Sequence, residues 1–149
     1  MAQRPVAIME QPRRITLHGY GTAHQSGKAR GAEFMELLQR VWVEVRAKDL
    51  AHGGISHAVY DCGDVVFAGV ELLAPAATPT SLVKKDVVFT RYAHWKHIGP
   101  YHGLPKAYEA MEAAIRGLGL SRTCPSMEIY GHWTADESRL ETEIFISVT

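Results

Sequence analysis

The chain has 149 residues, 46% of them hydrophobic and 21% charged, which suits one globular domain and excludes a disordered or fibrous chain. Sixteen Lys and Arg are balanced by sixteen Asp and Glu, so there is no basic field to track a phosphate backbone, and direct nucleic-acid binding is not expected. No stretch approaches the ~18 consecutive apolar residues of a membrane span.

The start MAQRPVAIME lacks the apolar run of a signal peptide, and Cys62 and Cys124 follow no CxxC spacing, so the expectation is a reduced, cytoplasmic protein with idle thiols and no cofactor. The first regular element is a strand, RRITLHGYGTAH. Phe34, Leu37, Leu38, Val41, Trp42 and Val45 then recur at the spacing of one helical stripe, predicting a helix from about Lys28 to Leu50 that Gly53 and Gly54 stop. ISHAVYDC and VVFAGVELL follow as strands, joined by a hairpin-like link at Gly63 and Asp64. The Pro-containing LAPAATPTS has no periodicity and reads as a connector.

The same order then returns. VVFTRYAHWKHIG reads as one strand; Leu104, Tyr108, Met111, Ile115 and Leu118 mark a second helix, with Pro105 in its first turn; SMEIYGHW and LETEIFISV close the chain as strands. The expectation is an α+β fold made of duplicated βαββ halves that share one antiparallel sheet, with two helices on one face and a ligand cleft on the other. The halves span about 12–74 and 86–149 of a single domain 1–149, with 75–85 between them.

Strand alternation selects candidate site residues. In the last strand Thr142, Ile144, Ile146 and Val148 share the face that suits a helix, while Glu141, Glu143, Phe145 and Ser147 share the other. A carboxylate among apolar strand neighbours needs solvent or a ligand, because an ionised group is not buried without a partner. Glu128, Tyr130 and His132 alternate on one face of the preceding strand, and Glu128 and Tyr130 are expected to join Glu143 in one site. Trp42, Trp95, Tyr92, Tyr130 and Phe145 are the candidate aromatic walls, although Trp42 also lies on the helical stripe and suits the core. Tyr101 and Tyr108 read as packing around a turn. His94 and His97 form an HxxH pattern, but residues three apart on a strand point to opposite faces, so no metal is expected. The Gly-rich HGYGTAHQSGKARG lacks P-loop spacing.

At HIGPYHGLPKAY the sequence resembles the GyrI-like family of small-molecule-binding domains, which includes the effector-binding domains of AraC-type and MerR-type multidrug regulators. His97, Gly99, Pro100, Tyr101, Leu104, Ala107 and Tyr108 carry the resemblance, followed by Pro125, Glu128 and Tyr130, and by the terminal ETEIFISV. RVWVEV and VVFAGVEL match in outline. The resemblance implies the duplicated fold and a cleft for bulky lipophilic cations, with Glu143 as the acid. Two departures stand out: Ser147 lies where many relatives have Pro, and no helix-turn-helix or coiled-coil segment accompanies the domain, so direct promoter control is not implied. The expected function is binding of amphipathic, cationic small molecules for sensing or sequestration. Two rivals are a hydrolase of cyclopropane-bearing electrophiles, using Glu143, Glu128 and Tyr130, and a protein-binding inhibitor like the family's gyrase-inhibitory member. A net charge of zero also allows a homodimer.

Overall fold

The computed structural model describes residues 6–149; the first five residues, part of the MAQRPVAIME start on which the signal-peptide expectation rests, lie outside it. In chain order the elements are β1 (Ala7–Met9), β2 (Arg13–Ala23), α1 (Arg30–Ala47), β3 (Ser56–Asp61), β4 (Val65–Val70), β5 (Val83–Phe89), β6 (Tyr92–Ile98), α2 (Leu104–Gly117), β7 (Arg122–Tyr130) and β8 (Glu141–Val148). The fold is α+β, and the paired strands are antiparallel.

The chain divides into two compact units, one of Arg14–Val87 and one of Val88–Thr149 with the N-terminal segment up to Arg13. In the first, neighbouring strands run β5-β2-β4-β3; in the second they run β1-β6-β8-β7. Each order is an edge strand followed by the first, third and second strands of a βαββ motif, so the duplication expected from element order is present in the topology. The two edge strands are additions to that motif. β1 is only three residues long, too short for a periodicity signal.

Several boundaries differ from the sequence expectation; among them, β7 starts before Ser126 and stops at Tyr130, which leaves His132 outside the strand. VVFTRYAHWKHIG is two strands, because β5 neighbours β2 while β6 sits between β1 and β8, and the chain must turn at Thr90 and Arg91. β5 begins at Val83, inside the stretch read as connector. The first helix ends at Ala47, well before Gly53: Asp49 takes the left-handed conformation at φ 48°, and the Leu50 N–H closes back on the Val45 carbonyl at 3.0 Å. The second helix closes the same way with a glycine, Gly119 at φ 72°, and Leu120 bonded to Ile115. Gly63 and Asp64 both have positive φ and make the expected link between β3 and β4.

Each helix buries the stripe read from its spacing. α1 buries Phe34, Leu37, Val41 and Val45, with Leu38 and Trp42 half-buried at the flank. α2 sets Ala107, Met111 and Ile115 on Ala93, Ile144, Ile146 and Val148. Leu118, counted on that stripe, lies beyond the helix and is exposed. The expectation of idle thiols is overturned: neither cysteine is free, and Cys62 and Cys124 are both disulfide-bonded. Among the described residues, no helix is long and apolar enough to cross a membrane.

Candidate functional site

Register decides which side chains can meet. β6, β8 and β7 are aligned so that Trp95, Ile144 and Glu128 form one row across the strands, and His97, Thr142 and Tyr130 the next. Directly paired residues share a face of the sheet, and Ile144 faces α2, so Glu128, Tyr130 and Trp95 lie on the α2 face. Glu143 is paired with Lys96 and Ile129, and Phe145 with His94 and Met127, on the opposite face. The expectation that Glu128 and Tyr130 join Glu143 is therefore corrected. Alternation within one strand gives two faces but not which one aligns with a neighbour, and a one-residue change of register exchanges them.

The α2 face carries an acidic aromatic cluster. Glu128 is buried, 6% exposed, and its Oε1 accepts a hydrogen bond from the Tyr130 hydroxyl at 3.2 Å. The Tyr101 ring meets the Tyr130 ring edge-on, with centroids 5.6 Å apart. Tyr101 is set by the Gly-Pro-Tyr turn. Gly99 at φ 136° turns the chain out of β6, and the Pro100 carbonyl accepts from both the Gly103 N–H and His97 Nε2, each at 3.0 Å. A Cβ at Gly103 would come within 3.0 Å of the His97 ring, so glycine leaves space for the imidazole. Burial holds the Tyr101 phenol above its ordinary pKa of 10.0, so it stays a neutral donor. Thr142, fully buried and paired with Tyr130, has a hydroxyl with no hydrogen-bond partner among the described residues. Sequence reading assigned Tyr101 to packing and Thr142 to the helix core; the only signal for Tyr101 was its place in HIGPY.

On the opposite face Glu143 is held by His94, Nε2 to Oε1 at 3.0 Å, and Lys96 pairs with Glu141. That bond, with Glu143 nearby as a second anion, raises the Lys96 pKa above its ordinary value, so the ammonium is firmly charged. Phe145 is fully buried against Phe89, Tyr92 and His94, and the Arg13 guanidinium lies over its ring at 5.0 Å. Tyr92 is 4% exposed. The protein's own cations thus stand where an aromatic wall would receive a cationic ligand. Trp42, in the Arg14–Val87 unit, donates Nε1–H to the Ser56 hydroxyl at 3.2 Å and packs edge-on against His52. His94 and His97 fall on opposite faces, and among the described residues no three His, Cys, Asp or Glu side chains gather as metal ligands.

A family model for the GyrI-like small molecule binding domain matches residues 32–149, and so takes in the HIGPY turn, Glu128 and Tyr130. The chain belongs to the GyrI-like family. No curated protein matches it in sequence. Solved structures carry the fold at low identity. This GyrI-like chain superposes on the EcmrR C-terminal domain with a TM-score of 0.72 at 16% identity, covering 97% of this chain and 96% of that one. SAV2435 bound to tetraphenylphosphonium gives 0.61 at 14% identity, covering 97% and 92%. A hydrolase from Listeria innocua gives 0.52 at 12% identity, covering 94% and 92%.

Proposed function

We propose that this domain binds amphipathic, cationic small molecules, and that Glu128 is the carboxylate that meets the charge. The observation that carries this reading is a carboxylate 6% exposed, bonded to a tyrosine whose ring packs against a second tyrosine. Away from water a carboxylate attracts a cation more strongly than it does at the surface, and aromatic faces add their own attraction. Trp95 lies across the same row, and the Thr142 hydroxyl adds a donor beside it. The tetraphenylphosphonium held by SAV2435 supports the ligand class. In this reading the Glu143–His94 pair is structural, Phe145 and Tyr92 are core, and Trp42 braces the end of α1. A titration of the labelled protein with tetraphenylphosphonium, followed by NMR, tests it. Saturable shifts at Trp95, Tyr101 and Tyr130 are expected; shifts centred on His94 and Glu143 would return the site to the other face.

The Tyr130–Glu128 pair also favours a second reading, because a phenol bonded to a carboxylate can donate to a leaving oxygen or carbonyl while the carboxylate activates water. The fold shared with a Listeria innocua hydrolase supports it. Sustained turnover of a cyclopropane-bearing electrophile, read by mass spectrometry and lost in Glu128→Gln, is the result that establishes catalysis. An unchanged electrophile over many hours leaves a receptor.

The domain acts in this reading without contacting nucleic acid, since its charges balance, and as a homodimer in the cytoplasm. The disulfide-bonded cysteines weigh against the cytoplasm, because disulfides persist chiefly in oxidising compartments. Alkylation at the moment of cell lysis decides: modified Cys62 and Cys124 support a reducing compartment, and protected ones refute it.

A further inference from the structure

The Arg14–Val87 unit contains a cavity that the cation site does not use. Thr16 and His18 of β2 and Lys84 of β5 line one side, and Leu72 through Ala76 with Thr80 line the other. Its volume of about 490 Å³ is that of a small-molecule site. Leu72, Leu73, Ala74, Pro75 and Ala76 form an unbroken apolar wall.

The polar groups around it are unequally engaged. The Thr16 hydroxyl donates to Asp86 at 2.7 Å, and Arg14 holds the other oxygen of that carboxylate at 2.5 Å. The Thr80 hydroxyl donates to Glu44 at 2.7 Å, and the Ser81 N–H donates to the same oxygen at 2.9 Å. Asp86 and Glu44 are thus tied to donors of their own. Lys84, exposed on the edge strand, makes no close ion pair among the described residues, although its charge adds to the Thr16 and Arg14 hydrogen bonds that hold Asp86 below its ordinary pKa. His18 Nδ1 is buried without a hydrogen-bond partner among the described residues. A buried N–H without an acceptor is costlier than an idle lone pair, so the neutral tautomer that suits this site carries its proton on Nε2.

We propose that this cavity is a second binding site, for a small carboxylate with an apolar body. The carboxylate sits on the Lys84 ammonium with the His18 Nε2–H as a second donor, and the hydrocarbon lies against Leu72–Ala76. Its charge preference is the reverse of that at Glu128, and it stands independently of the cation reading.

The probes are 4-phenylbutyrate and its neutral amide, titrated into the isotopically labelled full chain and followed by NMR. The acid is expected to shift His18 and the amides of Leu72, Leu73 and Ala74 in a saturable way. The neutral amide should bind about fivefold more weakly, the scale of one solvent-accessible charge pair. Lys84→Gln, at an exposed edge position that leaves the fold intact, should weaken the acid by about the same factor and leave the amide unchanged. Equal affinity of acid and amide, an unaffected Lys84→Gln, or shifts that avoid His18 and Leu72–Ala74 would each overturn the proposal.

Discussion

Glu128 and Glu143 sit on neighbouring strands, in adjacent rows of the same pairing, with Ile144 opposite the first and Ile129 opposite the second. One step of the pleat gives them different chemistry. Glu143 faces His94 in partly exposed surroundings, whereas Glu128 is buried beside a phenol. Thr142, two rows from Glu128 on the same face, has a buried hydroxyl with no hydrogen-bond partner among the described residues, and such a group costs free energy. Thr142→Val keeps the shape and removes the orphan, so thermal denaturation should show a neutral effect or a gain of up to about 1 kcal/mol. A clear loss would mean that the hydroxyl is satisfied in solution. Glu33 illustrates the opposite case. The buried carboxylate accepts from His24 at 2.6 Å and from the Gln25 N–H at 3.0 Å, and the His24 bond chiefly holds its pKa below the ordinary 4.5. A depressed folded-state pKa means that the unfolded chain binds the proton more tightly. The stabilisation is therefore complete above 4.5 and drains as pH falls through the folded value. Denaturant unfolding followed from neutral pH into acid should show a steeper loss in wild type than in Glu33→Gln; parallel curves would remove this role.

At the scale of elements, the two helices end by the same hydrogen-bonded closure but with different residues in the left-handed position, Asp49 after α1 and Gly119 after α2. A non-glycine residue there carries a steric cost that glycine avoids, and no hydrogen bond or ion pair of the Asp49 side chain offsets it among the described residues. Asp49→Gly should raise stability by about 0.5 to 1 kcal/mol, read as a higher midpoint in denaturant; a loss would show that the Asp49 side chain contributes more than its backbone costs. The helices were legible because Phe34, Leu37, Val41 and Val45, and Leu104, Tyr108, Met111 and Ile115, repeat at a period that local geometry imposes. Their ends were less so: a glycine pair at 53–54 looked like the stop, but the chain had already closed at Asp49. The break between β5 and β6 was hidden for a related reason. Thr90 and Arg91 interrupt the alternation only briefly, and what separates the strands is that they pair with different partners.

For the whole molecule, order and duplication could be read from sequence, whereas the composition of the site could not. The order of elements repeats, and the strand order repeats with it, because each βαββ motif solves the same packing problem with a helix on a sheet. The proposed site depends on long-range alignment of β6, β7 and β8, which no local pattern encodes, so the sequence reading groups Glu128, Tyr130 and Trp95 with a carboxylate that lies on the other face. The cysteines failed as a local pattern too, since a disulfide-bonded state leaves no spacing signature of the CxxC kind. The central claim is that the charge partner is Glu128. Isothermal calorimetry of tetraphenylphosphonium and of neutral triphenylphosphine oxide against wild type, Glu128→Gln and Glu143→Gln tests it most directly. Glu128→Gln should cost the cation about 1 to 3 kcal/mol, the range for a charge-assisted contact, and the neutral compound much less, with Glu143→Gln close to wild type for both. Loss of the cation in Glu143→Gln with Glu128→Gln unaffected would contradict the account.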